Sequence, residues 1–138
     1  MAATFANEGL LVACQQLLSV APGFYPYLVP VEDNLPFQAT DVWTTHTQTT
    51  IPGGGQVSLA PANWTFSVGG GDCQATYPTV TFNFGAYAGG KTIYGWMVGL
   101  SNGTVERLYF GDQLATPFAV PSAGGSLQIV PVYHHKQC

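Results

Sequence analysis

Residues 85 to 92 read GAYAGGKT, which places Gly85, Gly90, Lys91 and Thr92 at the G-x-x-x-x-G-K-[ST] spacing of a nucleotide-binding P-loop. In such a loop backbone N–H groups cradle phosphates, the lysine reaches the β- and γ-phosphates, and the hydroxyl binds Mg²⁺. That chemistry needs a strand before the loop and a helix after it, because the helix N-terminus supplies part of the anion field. TVTFNF provides the strand. TIYGWMVGL follows it, and this β-branched, aromatic, glycine-punctuated alternation predicts another strand. No later strand ends in a clean Mg²⁺-coordinating Asp; in LYFGD the Gly-Asp reads as a turn. The stretch is expected to be a tight connection between antiparallel strands, with Gly85, Gly89 and Gly90 allowing positive φ and Tyr87 at its tip.

His134, His135 and Cys138 are metal-ligating types. HHKQC lacks a second ligand cluster, however, and adjacent strand residues point to opposite faces, so a solvated tail is expected. His46, in TTHTQTT, reads as a surface strand residue. The acids are Glu8, Glu32, Asp33, Asp41, Asp72, Glu106 and Asp112, most of them beside Gly, Pro or Asn, where turns want them. The serines lie outside any G-x-S-x-G, and nothing in the sequence pairs Cys73 with a base. No catalytic residue, cofactor or metal is expected, and the chain reads as non-enzymatic. Asn63-Trp64-Thr65 and Asn102-Gly103-Thr104 match the glycosylation sequon, but Asn-Gly is better explained as a hairpin turn.

Composition narrows the classes further. The 138 residues fit one domain, and 46% hydrophobic content is enough for a core. Only 7% of residues are charged, so solubility rests on polar uncharged groups or on burial in an assembly. Lys91, Arg107 and Lys136 are the three basic residues, and the net charge is −4. Nucleic-acid binding and a polybasic membrane anchor both need clustered cations, so neither is expected. No apolar run approaches the ~20 residues of a membrane span. The N-terminal stretch lacks a positive n-region and carries Glu8, so synthesis in the cytoplasm without a cleaved signal is expected. The three cysteines, Cys14, Cys73 and Cys138, form no CxxC, so reduced thiols are expected.

The elements follow from periodicity. Leu10, Leu11, Cys14, Leu17 and Leu18 make one stripe of a helix over 7–18, with Asn7 as N-cap and Pro22-Gly23 as its end. FYPYLVPVE has strand composition, but Pro26 and Pro30 assign it to an edge strand or an extended arm. Phe24, Tyr25, Tyr27 and Trp43 form an aromatic cluster, read as core or as an exposed contact patch. From residue 64 period-2 alternation takes over. Trp64, Phe66 and Val68 share a face, as do Val80, Phe82 and Phe84. Tyr94, Trp96, Val98 and Leu100 lie opposite Ile93, Gly95, Met97 and Gly99. Asn102-Gly103 predicts a hairpin to TVERLYF; a loop through GDQ and Pro117 leads to FAV, and PSAGG turns into a last strand, SLQIVPVY, with Leu127, Ile129 and Tyr133 on one face. The fold class is mainly β: an antiparallel, jelly-roll-like β-sandwich with one short N-terminal α-helix. It forms a single domain over 1–138, with 1–37 as helix and proline-punctuated arm and 38–138 as sandwich.

In this order FANEGLLVACQQLL, ATYPTVTFNF, TIYGWMVGL, VERLYF and SLQIVPVY resemble the small virion structural proteins of tailed bacteriophages. The resemblance implies a capsid cement or decoration protein. Its partners would be the major capsid protein and copies of itself, with a trimer the natural choice at three-fold positions, and its place the virion. Phe24, Tyr25, Tyr27, Trp43 and Tyr87 are the interface residues this reading selects. The alternative is a tail- or fibre-associated module whose loops recognise host surface carbohydrate through exposed aromatics such as Tyr25, Trp43 or Tyr87.

Overall fold

A computed structural model describes residues 25–70, 72–87 and 90–136. The helix expected over 7–18, together with Phe24, Gly89 and Cys138, lies outside the described residues. The described chain is mainly β and its paired strands run antiparallel. The strands are β1 (Tyr25–Val31), β2 (Val57–Ser58), β3 (Thr65–Gly69), β4 (Asp72–Thr76), β5 (Val80–Phe84), β6 (Lys91–Ser101), β7 (Glu106–Val120), β8 (Gly125–Ile129) and β9 (Val132–Lys136). The described residues fall into two compact units. The described part of the larger covers 25–59, 81–87 and 90–129, and that of the smaller covers 60–70, 72–80 and 130–136.

The larger unit is built on a four-stranded sheet of order β2-β1-β6-β7, with β5 and β8 paired as a second sheet. Residues 25–31, expected at an edge or in an arm, are an inner strand of the four-stranded sheet. The prolines permit this because of where their missing N–H groups point. The Pro26 carbonyl accepts Leu59 N–H and the Pro30 carbonyl accepts Thr49 N–H, each at 3.0 Å. In antiparallel pairing a residue's nitrogen and carbonyl face the same neighbour. Both prolines therefore turn away from β6, and the register from Tyr25↔Ser101 to Val31↔Gly95 stays unbroken.

Tyr27, Val29, Val31 and Met97 form the core on one face of this sheet, with Phe37, Trp43 and Leu108 packed against them. Trp96 and Val98 are buried on the opposite face of β6. Burial on both faces is why β6 reads as a nearly continuous apolar run.

Other elements differ from expectation in instructive ways. β7 is one 15-residue strand, where a loop through GDQ and Pro117 was expected. Ile93 pairs with Phe118 but Gly95 pairs with Gln113, so residues 114–117 bulge opposite Tyr94 and the proline needs no ladder bond there. SLQIVPVY is two strands, not one. Pro131 interrupts it, and β8 and β9 join different sheets. Leu127 and Ile129 are buried in the larger unit, while Tyr133 belongs to the smaller unit and shares no face with them.

The hairpin expected at Asn102-Gly103 joins β6 to β7. Asn102 Oδ1 accepts Thr104 N–H at 3.0 Å and Val105 N–H at 2.7 Å, and Gly103 has φ +90°. β5 alternates as expected, with Phe82 and Phe84 buried and Thr81 and Asn83 exposed.

In the smaller unit the sheet order is β3-β4-β9. Cys73 and Ala75 are fully buried, and Trp64 meets Tyr77 edge-on with ring centroids 5.1 Å apart. Tyr77 Oη accepts Ala60 N–H at 2.9 Å and Asn63 Nδ2–H at 3.4 Å, so the first sequon asparagine is tied to the fold.

Candidate functional site

The P-loop spelling has a structural purpose. Lys91 opens β6, a strand, so no helix N-terminus stands behind the glycines. Lys91 Nζ lies 3.2 and 3.3 Å from the two carboxylate oxygens of Glu32 and donates to Thr50 Oγ1 at 2.8 Å. Gly85 and Gly90 do not adopt the positive φ expected of them. Tyr87 is a fastener rather than a free tip. Its hydroxyl donates to the Val120 carbonyl at 2.6 Å and accepts Lys91 N–H at 2.7 Å.

The segment from 32 to 46 lies across the core face of the larger unit and is held there by a charge clamp. His46, expected on the surface of a strand, is buried in a non-strand segment. Its Nδ1 lies 3.0 Å from Asp33 Oδ1 and its Nε2 lies 2.8 Å from Asp41 Oδ2. Ionised carboxylates only accept hydrogen bonds, so both ring nitrogens carry protons and the ring is an imidazolium. Burial works against that charge, but the hydrogen bonds to Asp41 and Asp33 outweigh it and hold the His46 pKa above its ordinary value. The same bond to His46, helped by Gln38 N–H, holds Asp41 below the usual carboxylate range. Asp33 also accepts the backbone N–H groups of Leu35 and Thr47. Phe37 stacks on the imidazole with centroids 4.0 Å apart.

Two glycines receive the aromatics of this segment. A Cβ on Gly111 would lie 2.5 Å from Phe37 Cε1, and one on Gly99 would lie 2.5 Å from Trp43 Cζ3. Only glycine admits such an approach. Trp43 also meets Tyr27 edge-on, centroids 5.3 Å apart.

Trp43 sits in a short 3-10 turn, Trp43–Thr45, and forms one wall of an open cleft of about 430 Å³. Val42 and Thr44 stand beside it; Ser101, Thr104, Glu106 and Arg107 come from the β6–β7 hairpin. The size lies within the roughly 300–1,000 Å³ of small-molecule sites. Tyr25 pairs with Ser101 at the cleft and is 68% exposed, and Val42 and Val105 are 59% and 36% exposed. The cleft thus combines an indole, three hydroxyl side chains, a carboxylate and a guanidinium beside the exposed apolar side chains of Tyr25, Val42 and Val105. Tyr27, fully enclosed, belongs to the core behind it, as the core reading of the aromatic cluster expected.

Sequence reading singled out Tyr25, Tyr27, Trp43 and Tyr87. The first three meet at this end of the sheet, whereas Tyr87 is fastened elsewhere. It missed Glu106, Arg107 and the clamp. One signal for the clamp was present: three of the chain's seven acids, Glu32, Asp33 and Asp41, fall within ten residues of each other in a nearly uncharged chain.

In the smaller unit His134 lies on β9, not in a solvated tail, and its Nδ1 is 3.1 Å from Asp72 Oδ2. Cys73 is a buried free thiol. Among the described residues no group of His, Cys, Asp and Glu could hold a metal, and no helix is long and apolar enough to cross a membrane. Compared with protein-family models, curated proteins and solved structures, the chain has no match.

Proposed function

We propose that this protein is a non-enzymatic binding module of a virion that takes a saccharide in the Trp43 cleft. The observation that carries the reading is the cleft itself: an indole wall faced by Ser101, Thr104, Glu106 and Arg107. A sugar ring offers apolar C–H faces to an aromatic plane and hydroxyls to such a polar set. The virion setting rests on the resemblance to tailed-phage structural proteins. Immobilised bacterial surface glycans should retain the wild-type protein, and Trp43→Ala should not be retained. If no glycan retains the wild-type protein, the reading is wrong.

The second reading is capsid decoration, with the major capsid protein and further copies of the chain as partners. Its support is the exposed apolar rim of Tyr25, Val42 and Val105. Its weakness is that residues 25–31 form an inner strand and so are not available as a clamping arm. Stoichiometric loading onto purified heads, without glycan retention, would favour it.

A further inference from the structure

A second open cleft, of about 250 Å³, lies beside the first, between the 37–41 stretch and residues 108–111 of β7. Its walls continue those of the Trp43 cleft. On one side Asp41 belongs to the second lining and Val42 to the first; on the other Arg107 belongs to the first and Leu108 to the second. Sequence neighbours have Cα atoms only about 3.8 Å apart, so neither wall is interrupted between the two clefts. β7 borders the joint seam from Glu106 to Gly111, roughly 16 Å of strand and longer than one sugar ring. The second cleft alone is smaller than the roughly 300–1,000 Å³ of small-molecule sites, which suits an extension of the first better than a separate site. It repeats the chemistry of the first: Phe37 and Tyr109 are aromatic members of its lining, and Gln38 brings an amide.

A seam of this length takes an extended chain, and its chemistry narrows which. Among the described strands β7 is the outer one of its sheet, and an edge strand can accept an extended peptide. The register argues against one here. Leu108 pairs with Gly99 and Phe110 with Val98, so Tyr109 is the extra residue of a β-bulge in the middle of the seam. A bulge breaks the even row of N–H and C=O groups that a peptide strand must match, and it re-aims side chains beside a site. A polyanionic chain needs several cations, and Arg107 is the only cation in either lining, against the carboxylates of Glu106 and Asp41. We infer, building on the saccharide reading, that the seam binds a neutral linear oligosaccharide in an extended pose, with one unit against Trp43 and the following units running along β7 past Tyr109 to Phe37 and Gln38.

The test uses the full chain and the bacterial surface polysaccharide that retains it, cut by partial acid hydrolysis into soluble fragments sorted by length. Calorimetry gives the affinity and NMR the position. Fragments of one or two units should shift the Trp43 indole N–H and the Ser101 and Thr104 amides. Longer fragments should also shift the Gln38 and Ala39 amides and should bind about tenfold more tightly before the gain levels off, because the second contact is made within one complex. Added salt should leave these affinities unchanged. Ala39 is exposed, so Ala39→Trp fills the second cleft without entering the core. This variant should bind every fragment about as weakly as wild type binds the shortest. If wild type binds the shortest fragments as tightly as the long ones, or if Ala39→Trp keeps the gain with length, the extended pose is wrong and the saccharide reading stands. If salt abolishes binding, the chain is a polyanion and the neutral assignment is wrong. If no polysaccharide retains the wild-type protein, both readings fall.

Discussion

Replacing His46 with alanine leaves Asp33 and Asp41 facing one another with no cation between them. In the folded protein the imidazolium meets one carboxylate at 3.0 Å and the other at 2.8 Å, and its side chain is fully enclosed. Removing one member of a buried ion pair typically costs 3–5 kcal/mol, because the remaining charge is stranded. Asp33 and Asp41 keep some contact with water, at 15% and 10% side-chain exposure, so the low end, about 3 kcal/mol, is appropriate. With a urea m-value of about 2 kcal/mol/M the unfolding midpoint should fall by about 1.5 M. The pH profile adds a second test. A folded-state His46 pKa above 6.5 contributes stability that is complete below 6.5 and disappears as pH rises through the folded value. A folded-state Asp41 pKa below 3.8 contributes stability that is complete above 3.8 and disappears as pH falls through the folded value. Wild type should therefore be most stable between these limits and should weaken on the alkaline side, whereas His46→Ala should lose that alkaline slope. Urea melts at pH 5, 7 and 9 would measure both effects. A midpoint shift corresponding to under about 1 kcal/mol, or an alkaline slope equal in the two proteins, would refute the doubly protonated clamp.

Gly99→Ala should push Trp43 off its socket, with a Cβ only 2.5 Å from the indole. Overpacking of this kind costs about 1–3 kcal/mol, and thermal melts together with a red shift of tryptophan emission would register it; an unchanged spectrum and melting temperature would contradict the close approach. Lys91→Met should cost no more than about 1 kcal/mol, because the Lys91–Glu32 pair is partly exposed. Neither wild type nor Lys91→Met should bind Mg-ATP in calorimetry, and an affinity present in wild type and lost in the variant would restore the P-loop reading. Cys73, fully buried, should react with a maleimide only under denaturing conditions, and labelling of the native protein at this residue would contradict its place in the smaller unit.

The strands legible in the sequence were those whose pattern is local. β5 and β3 each have one covered face, so period-2 alternation names the inward residues directly. The Asn102-Gly103 turn was legible because its own side chain and backbone specify it. Features set by a neighbour were not. The prolines of β1 argue against an inner strand until one knows which side their nitrogens face, and that depends on Thr49 and Leu59. The long run of β7 hides behind Gly111-Asp112 and Pro117, local turn signals that a bulge opposite Tyr94 absorbs. His46 looked like a surface residue because its partners lie 5 and 13 positions away, at no helical or strand period. Glu106 came into line with Ser101 and Tyr25 only through the register of two strand pairs, which no single stretch of sequence encodes.

The clamp and the cleft are physically one arrangement. Trp43 falls between Asp41 and His46, and the only regular structure it belongs to is a three-residue 3-10 turn. So short a turn has no cooperative stability of its own. Its position is fixed by what anchors its two flanks and by the sockets beneath. Asp41 on one flank and His46 on the other are drawn together by a charged hydrogen bond, and Asp33 ties the same imidazole back to the start of the segment. Phe37 over Gly111 and Trp43 over Gly99 then set the height of the segment above the sheet. In a chain with ten formally charged side chains, spending an enclosed histidine and two aspartates on one irregular segment is a large concentration of electrostatic resource. The core beneath could have been covered by apolar residues alone, and replacing a buried pair in that way is often neutral or stabilising. What an apolar cover cannot supply is a single placement of the indole, because such contacts are non-directional, whereas two charge-assisted hydrogen bonds to a planar ring fix both distance and angle. A segment held this way is suited to presenting Trp43 in one orientation to whatever enters the cleft.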